Sequence, residues 1–186
     1  MDNSKDQETS GNLNIQTIDL RSVDQTVVEE IAAFVAAEKD ALKEYEAKHG
    51  FKDEEAHARN SDYGQLLIYG LGQLRANLNS DGKLFVERNS LGVISGLGTV
   101  TLATENNLDK HENWQFFGRS FDQKGQGIAT GILAAQNKYI RSQGINKYTT
   151  TVTEESERVF KRLGCKYQVL GKRDQLADGT KILVNL

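Results

Sequence analysis

The sequence is short of several residue types that build particular kinds of site. Of its 186 residues, one is cysteine, three are histidine and none is proline. The single cysteine, Cys165, excludes an intramolecular disulfide and a cysteine-based metal cluster. The histidines, His49, His57 and His111, stand at no metal-ligand spacing to one another. We therefore expect no metal site, and we interpret Cys165 as a small buried apolar residue rather than a nucleophile.

Long hydrophobic runs are also missing. No apolar stretch approaches the roughly 18 residues that a membrane-spanning helix needs. Residues 1–12 are polar and lack the apolar segment of a signal peptide. We expect a cytoplasmic protein without a membrane partner, in which residues 1–12 form a disordered tail and 13–186 a single domain.

The net charge of −3 is unevenly distributed along the chain. Residues 113–186 contain 12 Lys and Arg against 6 Asp and Glu, and the part before them carries a net −9. Residues 23–55 contain ten acidic and four basic side chains. An anionic ligand is therefore expected in the carboxyl-terminal part and a cationic one near residues 23–55, unless the asymmetry serves only solubility. The overall acidity disfavours nucleic acid as a partner.

The hydrophobic pattern predicts a mixed α/β domain. Strands are expected at 14–22, 83–89, 92–104, 113–121, 146–153, 166–171 and 181–186, and helices at 23–49, in part of 54–78, from about 126 to 142 and at 156–164. Strands and helices do not alternate strictly. This order favours a mostly antiparallel sheet of six or seven strands, flanked by about four helices.

Three glycines, Gly125, Gly127 and Gly131, fall within seven residues at the start of an expected helix. A helix start carries unpaired N–H groups and a partial positive charge, and glycine lets an anion approach the backbone closely. We therefore predict a phosphate site at 125–130 with Lys124 at its rim. The alternative is a tight strand-to-helix turn without a ligand. A Walker loop is absent, and a dinucleotide fingerprint fails at Thr130.

The segment KGQGIA, residues 124–129, resembles the Arg/Gln-x-x-Gly-x-Gly/Ala signature of the GNAT superfamily of N-acyltransferases. Lys124 stands where the family prefers Arg or Gln. Residues 153–166, TEESERVFKRLGCK, resemble the family's Asn-x-x-Ser-x-Arg-Val-x-x-Lys-Leu-Gly-Phe segment, with Thr153 in place of Asn and Cys165 in place of Phe. The similarity extends over roughly residues 82–186, including two segments that resemble the family's hairpins.

This resemblance implies a GNAT-like fold and an acyl-CoA site. In that fold two adjacent parallel strands, here 113–121 and 146–153, splay apart, and the pantetheine arm of CoA lies along a backbone edge between them. A backbone N–H of the same strand would polarise the acyl carbonyl. The implied cofactor-binding residues are Phe117, Gly118, Arg119, Lys124, Gly125, Gln126, Gly127, Ile128, Ala129, Thr130 and Phe160.

The resemblance also implies roles for two side chains. Glu112, at the start of the central strand, is the candidate base that deprotonates the acceptor, and Glu87 and Glu105 are lesser candidates. Many relatives carry, at the position of Phe160, a tyrosine that protonates the leaving thiolate. Ser156, one helical turn earlier, is the candidate replacement donor, unless it merely caps the helix.

The implied function is transfer of an acetyl group from acetyl-CoA to a primary amine, either a small cationic amine or a peptide amine. Two alternatives stay open: a sensor that binds acyl-CoA without chemistry, and a structural partner that keeps only the fold. The sequence leaves open the acceptor, the length of the acyl chain and the formation of a homodimer.

Overall fold

The computed structural model describes residues 13–49, 81–104, 111–119, 125–172 and 180–186, which form one seven-stranded sheet with helices on both faces. The strands are β1 (Ile15–Asp19), β2 (Gly82–Arg88), β3 (Ile94–Thr104), β4 (His111–Arg119), β5 (Lys147–Val152), β6 (Lys166–Lys172) and β7 (Thr180–Asn185). The helices are α1 (Gln25–His49), α2 (Ile128–Ser142) and α3 (Glu154–Arg162). The strand order in the sheet is β1-β2-β3-β4-β5-β7-β6.

The pairing of the strands confirms a mostly antiparallel sheet that contains one splayed parallel pair. β4 pairs with β3 at nine positions, from Thr104↔His111 to Gly96↔Arg119. Its parallel register with β5 comprises the single pair Glu112↔Thr149. β4 and β5 are therefore neighbours near their amino-terminal ends and share no register further along.

Two apolar cores lie on the two faces of the sheet, because successive strand residues point to opposite sides. Phe85 faces α2, together with buried residues of β5, β7 and α3. Leu84 and Val86 face α1, whose buried side chains follow a helical period. These α1 residues are Val28, Ile31, Phe34 and Val35.

Several element boundaries differ from the sequence prediction, and three of them have local reasons. β1 ends at Asp19, because its carboxylate accepts the N–H of Arg21 (3.0 Å) and starts a 3-10 turn over Leu20–Ser22. α2 begins at Ile128 rather than near 126, because Gly127 adopts a left-handed conformation. α3 begins two residues early, because Thr153 caps it.

Two predicted segments lie outside the described residues, the tail 1–12 and the helix expected within 54–78. Among the helices that the structure does describe, including the 25-residue α1, none is long and apolar enough to span a membrane.

Candidate functional site

The turn before α2 owes its shape to glycine. Gly125 has φ 92° and Gly127 has φ 75°, in the left-handed region that other residues rarely occupy. A Cβ added to either residue would meet no atom of the described structure within 4 Å. Backbone conformation, rather than packing within the protein, is therefore what requires glycine at these two positions.

Among the described residues, no side chain caps the first turn of α2. Gly127 is the N-cap residue, no described side chain accepts a hydrogen bond there, and the turn contains no acidic residue. The N–H of Gly131 donates to Gly127 O (2.8 Å) and opens the helical ladder. The N–H groups of Ile128, Ala129 and Thr130 precede this bond and have no acceptor within the helix. Such a helix start suits an anion.

The described fold places this turn at the same end of the sheet as the carboxyl end of β4. A Cβ built on Gly131 would lie 3.3 Å from Cδ1 of Ile15, so the start of α2 packs on β1. Ile15 pairs with Glu87, Glu87 with Gly96, and Gly96 with Arg119, the last residue of β4. The predicted residues Phe117, Gly118 and Arg119 therefore share one end of the sheet with 125–130. Their side chains, and Lys124, lie outside the described part.

Glu112 lies at the other end of the split pair. Its backbone is level with Thr149 of β5, and Thr149 is 7% exposed. The register places Glu112 on the face covered by α1, because even-numbered β4 residues share a face with Leu97 of the α1 core. Its side chain is outside the described residues. Thr153, which forms the start of α3 with Ser156, is four residues beyond Thr149, roughly 13 Å along the strand, so the two catalytic candidates are apart.

Ser156 caps α3. Its Oγ accepts the N–H of Thr153 (2.7 Å) and donates to Thr153 O (3.1 Å), while the N–H of Ser156 donates to Thr153 Oγ1 (3.3 Å). The two residues form a reciprocal capping box. Ser156 therefore takes part in the cap of α3, and its role as a proton donor stays a prediction.

Phe160 belongs to the core on the α2 face. Its residue is 1% exposed, and its cluster includes Ile128, Leu133 and Tyr148. The ring therefore supports the packing of α3 against α2. A contact between this ring and a bound CoA stays a prediction.

Of the two lesser candidates for the catalytic base, Glu105 and Glu87, the structure describes only Glu87. Glu105 lies outside the described residues. Glu87 is 5% exposed, and its Oε2 atom has no hydrogen-bond partner in the described structure. Burial raises the pKa of Glu87, and a hydrogen bond from the backbone N–H of Asn14 opposes this. The sequence predicts that Glu87 lies on a strand. It does not predict that β1 and β3, on either side of that strand, help to bury it.

Cys165 is less buried than the sequence predicted, but its thiol shows no activation. The residue is half-buried, its Sγ accepts a hydrogen bond from Asn137 Nδ2 (3.4 Å), and burial raises the pKa of the thiol. A raised pKa disfavours the nucleophilic thiolate. Over the residues that the structure covers, no group of three His, Cys, Asp or Glu side chains could hold a metal ion.

No protein-family model and no curated protein sequence matches the chain. Solved structures do match it. The candidate acetyltransferase yncA of Salmonella typhimurium, solved with its cofactor acetyl-CoA, gives a TM-score of 0.56 at 14% identity, over 95% of both chains. The ribosomal-protein-S5-alanine acetyltransferase of Vibrio fischeri gives 0.55 at 16% identity, over 92% of both chains. The chain has the GNAT fold.

The GNAT fold confirms the predicted fold class. An acetyltransferase of the GNAT family from Staphylococcus aureus is similar to the same extent, with a TM-score of 0.55 at 15% identity, over 92% of this chain and 99% of that one. At such low identity the likeness is one of architecture. The chemistry of this chain has to be argued from its own residues.

Proposed function

We propose that the protein is an acyl-CoA-dependent N-acetyltransferase that acts on a primary amine. One observation carries the proposal: the glycine-lined start of α2, uncapped by any described side chain, lies at the same end of the sheet as the open end of the splayed β4–β5 pair. On a GNAT fold this combination offers a phosphate site beside an unoccupied strand edge. Acetyl-CoA is the acyl donor bound to yncA, the structural neighbour from Salmonella typhimurium.

The proposed donor site uses mainly backbone. The N–H groups of 128–130 would hold the pyrophosphate at the positive end of α2. The edge of β4 from Phe117 to Arg119 has no paired strand on its β5 side among the described residues, and the pantetheine arm would lie along it as an added strand. Because these contacts involve N–H and C=O groups, they depend on conformation more than on side-chain identity.

The proposed acceptor site lies on the opposite face of the sheet. Glu112 is placed on the α1 face, whereas α2 covers the other face. Glu112 would take a proton from the acceptor ammonium, and the free amine would attack the acyl carbon. The C–S bond then breaks and the thiolate takes up a proton. A thiol with a pKa of about 8.5 is a fair leaving group, so a strong acid is not essential.

A cationic acceptor fits the charge of α1. Glu29, Asp40 and Glu44 are exposed along this helix, and Asp24 is exposed immediately before it. Glu30 is exposed too, but it pairs with Arg88. We expect amines that carry additional positive charge, or basic peptides, to react best. A screen of amines and peptides in which neutral or anionic acceptors react faster would refute this expectation.

The function is tested by two measurements on the same protein. Calorimetry with acetyl-CoA reports binding, and release of free thiol in the presence of a panel of amines reports transfer. Binding with thiol release supports the proposal. If wild type binds acetyl-CoA tightly but releases no thiol with any amine, and Phe160→Tyr restores thiol release, the protein is a sensor. No binding at all supports a structural partner that keeps only the fold.

A further inference from the structure

Glu87 is a buried ionisable residue that the proposed reaction leaves without a role. It is 5% exposed, and its Oε2 makes no hydrogen bond to the described structure. Buried polar groups in native proteins are normally paired, and burial of an unpaired charge is costly. A carboxyl kept in such a position calls for a functional explanation.

The strand pattern fixes where Glu87 lies. Phe85, two residues earlier on β2, packs against Tyr139 of α2 with ring centroids 6.3 Å apart. Alternate strand residues share a face, so Glu87 also faces α2. Its partner on β1 is Ile15, the residue that lies against Gly131 in the first turns of α2. Glu87 is thus one strand away from the contact between β1 and the helix start.

Among the described residues, few charges face Glu87. The Asp19–Lys83 ion pair (2.8 Å) lies on the same face of the sheet, four residues away along β1 and β2. β1 supplies the backbone N–H of Asn14, β3 supplies Gly96, and the residues 128–133 of α2 are uncharged. The cation that the register brings to the same row is Arg119, two strands away on β4. The side chain of Arg119 is outside the described residues. The protonation of Glu87 therefore changes the local charge next to the start of α2.

We infer that Glu87 sets the affinity of the phosphate site at the start of α2: its neutral carboxyl permits an anionic ligand, and its ionised carboxylate opposes one. This inference rests on the proposed function. Burial extends the protonated form to higher pH, because it raises the pKa of Glu87. Binding and protonation are coupled reciprocally, so a bound anion favours the neutral carboxyl.

Coulomb's law gives the expected change in the affinity for an anionic ligand when Glu87 ionises. Two unit charges about 10 Å apart, at an effective dielectric constant of about 20, change a binding constant by roughly tenfold. The probe is 3′-dephospho-coenzyme A, which lacks the terminal phosphate monoester with its second pKa of about 6. Its pyrophosphate keeps its charge while Glu87 titrates.

The experiment measures the Kd of this probe by calorimetry from about pH 5 to about pH 8. Wild type should lose affinity by about tenfold as the pH rises. Glu87→Gln should bind with little pH dependence, and more tightly than wild type at the upper end. Glu30→Gln is the matched control, since Glu30 pairs with Arg88 of the same strand but on the α1 side. It should behave like wild type.

Two further readouts on the unliganded and liganded protein keep the inference testable if the variant folds poorly. In wild type, carbon-13 NMR of the Glu87 carboxyl should show its titration midpoint rising when the probe binds. The folded-state pKa is raised, so wild-type stability should fall as the pH rises from the unfolded-state pKa through the folded-state pKa. Glu87→Gln should lack this loss.

Three results would overturn the inference. The pH dependence of Kd could be the same in Glu87→Gln and wild type, or the Glu87 midpoint could ignore the ligand; either leaves the proposed function intact. Weaker binding by Glu87→Gln throughout would show that the carboxylate anchors the site instead of opposing the ligand. If neither protein binds the probe or acetyl-CoA, the proposed function fails and this inference falls with it.

Discussion

The two helices that follow β4 and β5 begin in opposite ways. α3 starts from Thr153, which has extended backbone (φ −84°, ψ 168°) and forms a capping box with Ser156. α2 starts from Gly127, which has left-handed backbone (φ 75°, ψ 3°) and no side-chain cap. Glu154 opens α3, whereas the first turn of α2 contains no acidic residue.

The difference separates a helix start that serves stability from one that is available to a ligand. At α3 the protein's own hydroxyl groups satisfy the N–H groups that a helix start leaves unpaired. At α2 the chain forgoes that stabilisation, although Ser, Thr, Asp or Asn at position 127 would be the ordinary choice for a cap. Both helices start at the carboxyl-terminal end of the β4–β5 pair, and among the described residues the start of α2 is the one without a side-chain cap.

The largest expected effect comes from a charge placed at the uncapped start. Gly127→Glu forces a residue with a Cβ into a left-handed conformation, at about 1–2 kcal/mol, and puts a negative charge beside the proposed phosphate site. We expect acetyl-CoA affinity to fall roughly 100-fold or more, measured by calorimetry.

Gly144→Glu is the matched control, because Gly144 has φ 77°, and an added Cβ there also meets no described atom within 4 Å. It lies beyond the opposite end of α2. The control should lose slightly more unfolding free energy, because its negative charge meets the negative end of the helix dipole, and its acetyl-CoA affinity should be unchanged. If both variants bind acetyl-CoA like wild type, the phosphate site lies elsewhere.

Much of this architecture can be predicted from the sequence, because strands, helices and turns depend on the residue types of short local segments. The apolar run LFV within KLFVERN and the glycines at 125 and 127 predict β2 and the turn before α2, and both are present. The splayed pair came from a family resemblance, because one register pair between distant strands leaves no local pattern. The burial of Glu87 depends on β1 and α2 packing around it, which strand periodicity alone does not reveal.

Breaking the capping box should have the next largest effect. Thr153→Ala and Ser156→Ala each remove a reciprocal cap, so each should lower the unfolding free energy by about 1 kcal/mol, measured by denaturant titration. Acetyl-CoA affinity should change little in either variant, because the box lies on α3. The two variants differ in one respect: Ser156→Ala also removes the hydroxyl proposed to protonate the thiolate.

Turnover, measured as thiol release with a responsive amine, separates these roles. If Ser156 donates a proton, Ser156→Ala lowers turnover well below that of Thr153→Ala, at a similar cost in stability. Equal turnover in the two variants would leave Ser156 with a capping role alone.

The smallest expected effect tests whether the start of α2 acts through its charge rather than its shape. Gln126 and Gln143 are both exposed and flank α2 at its two ends. Changing either to Glu adds one negative charge with almost no change in shape. Because the helix dipole is positive at its start, Gln126→Glu should raise the unfolding free energy by a few tenths of a kcal/mol, and Gln143→Glu should lower it by a similar amount.

The affinity for acetyl-CoA should not follow the stability. It should fall about fivefold in Gln126→Glu and stay constant in Gln143→Glu. A substitution that stabilises the free protein yet weakens ligand binding is the mark of a helix start left uncapped for an anion. If Gln126→Glu stabilises the protein as the helix dipole predicts but leaves acetyl-CoA affinity unchanged, the start of α2 does not bind an anion. Its turn would then share the conformation of an acyl-CoA site without the binding function.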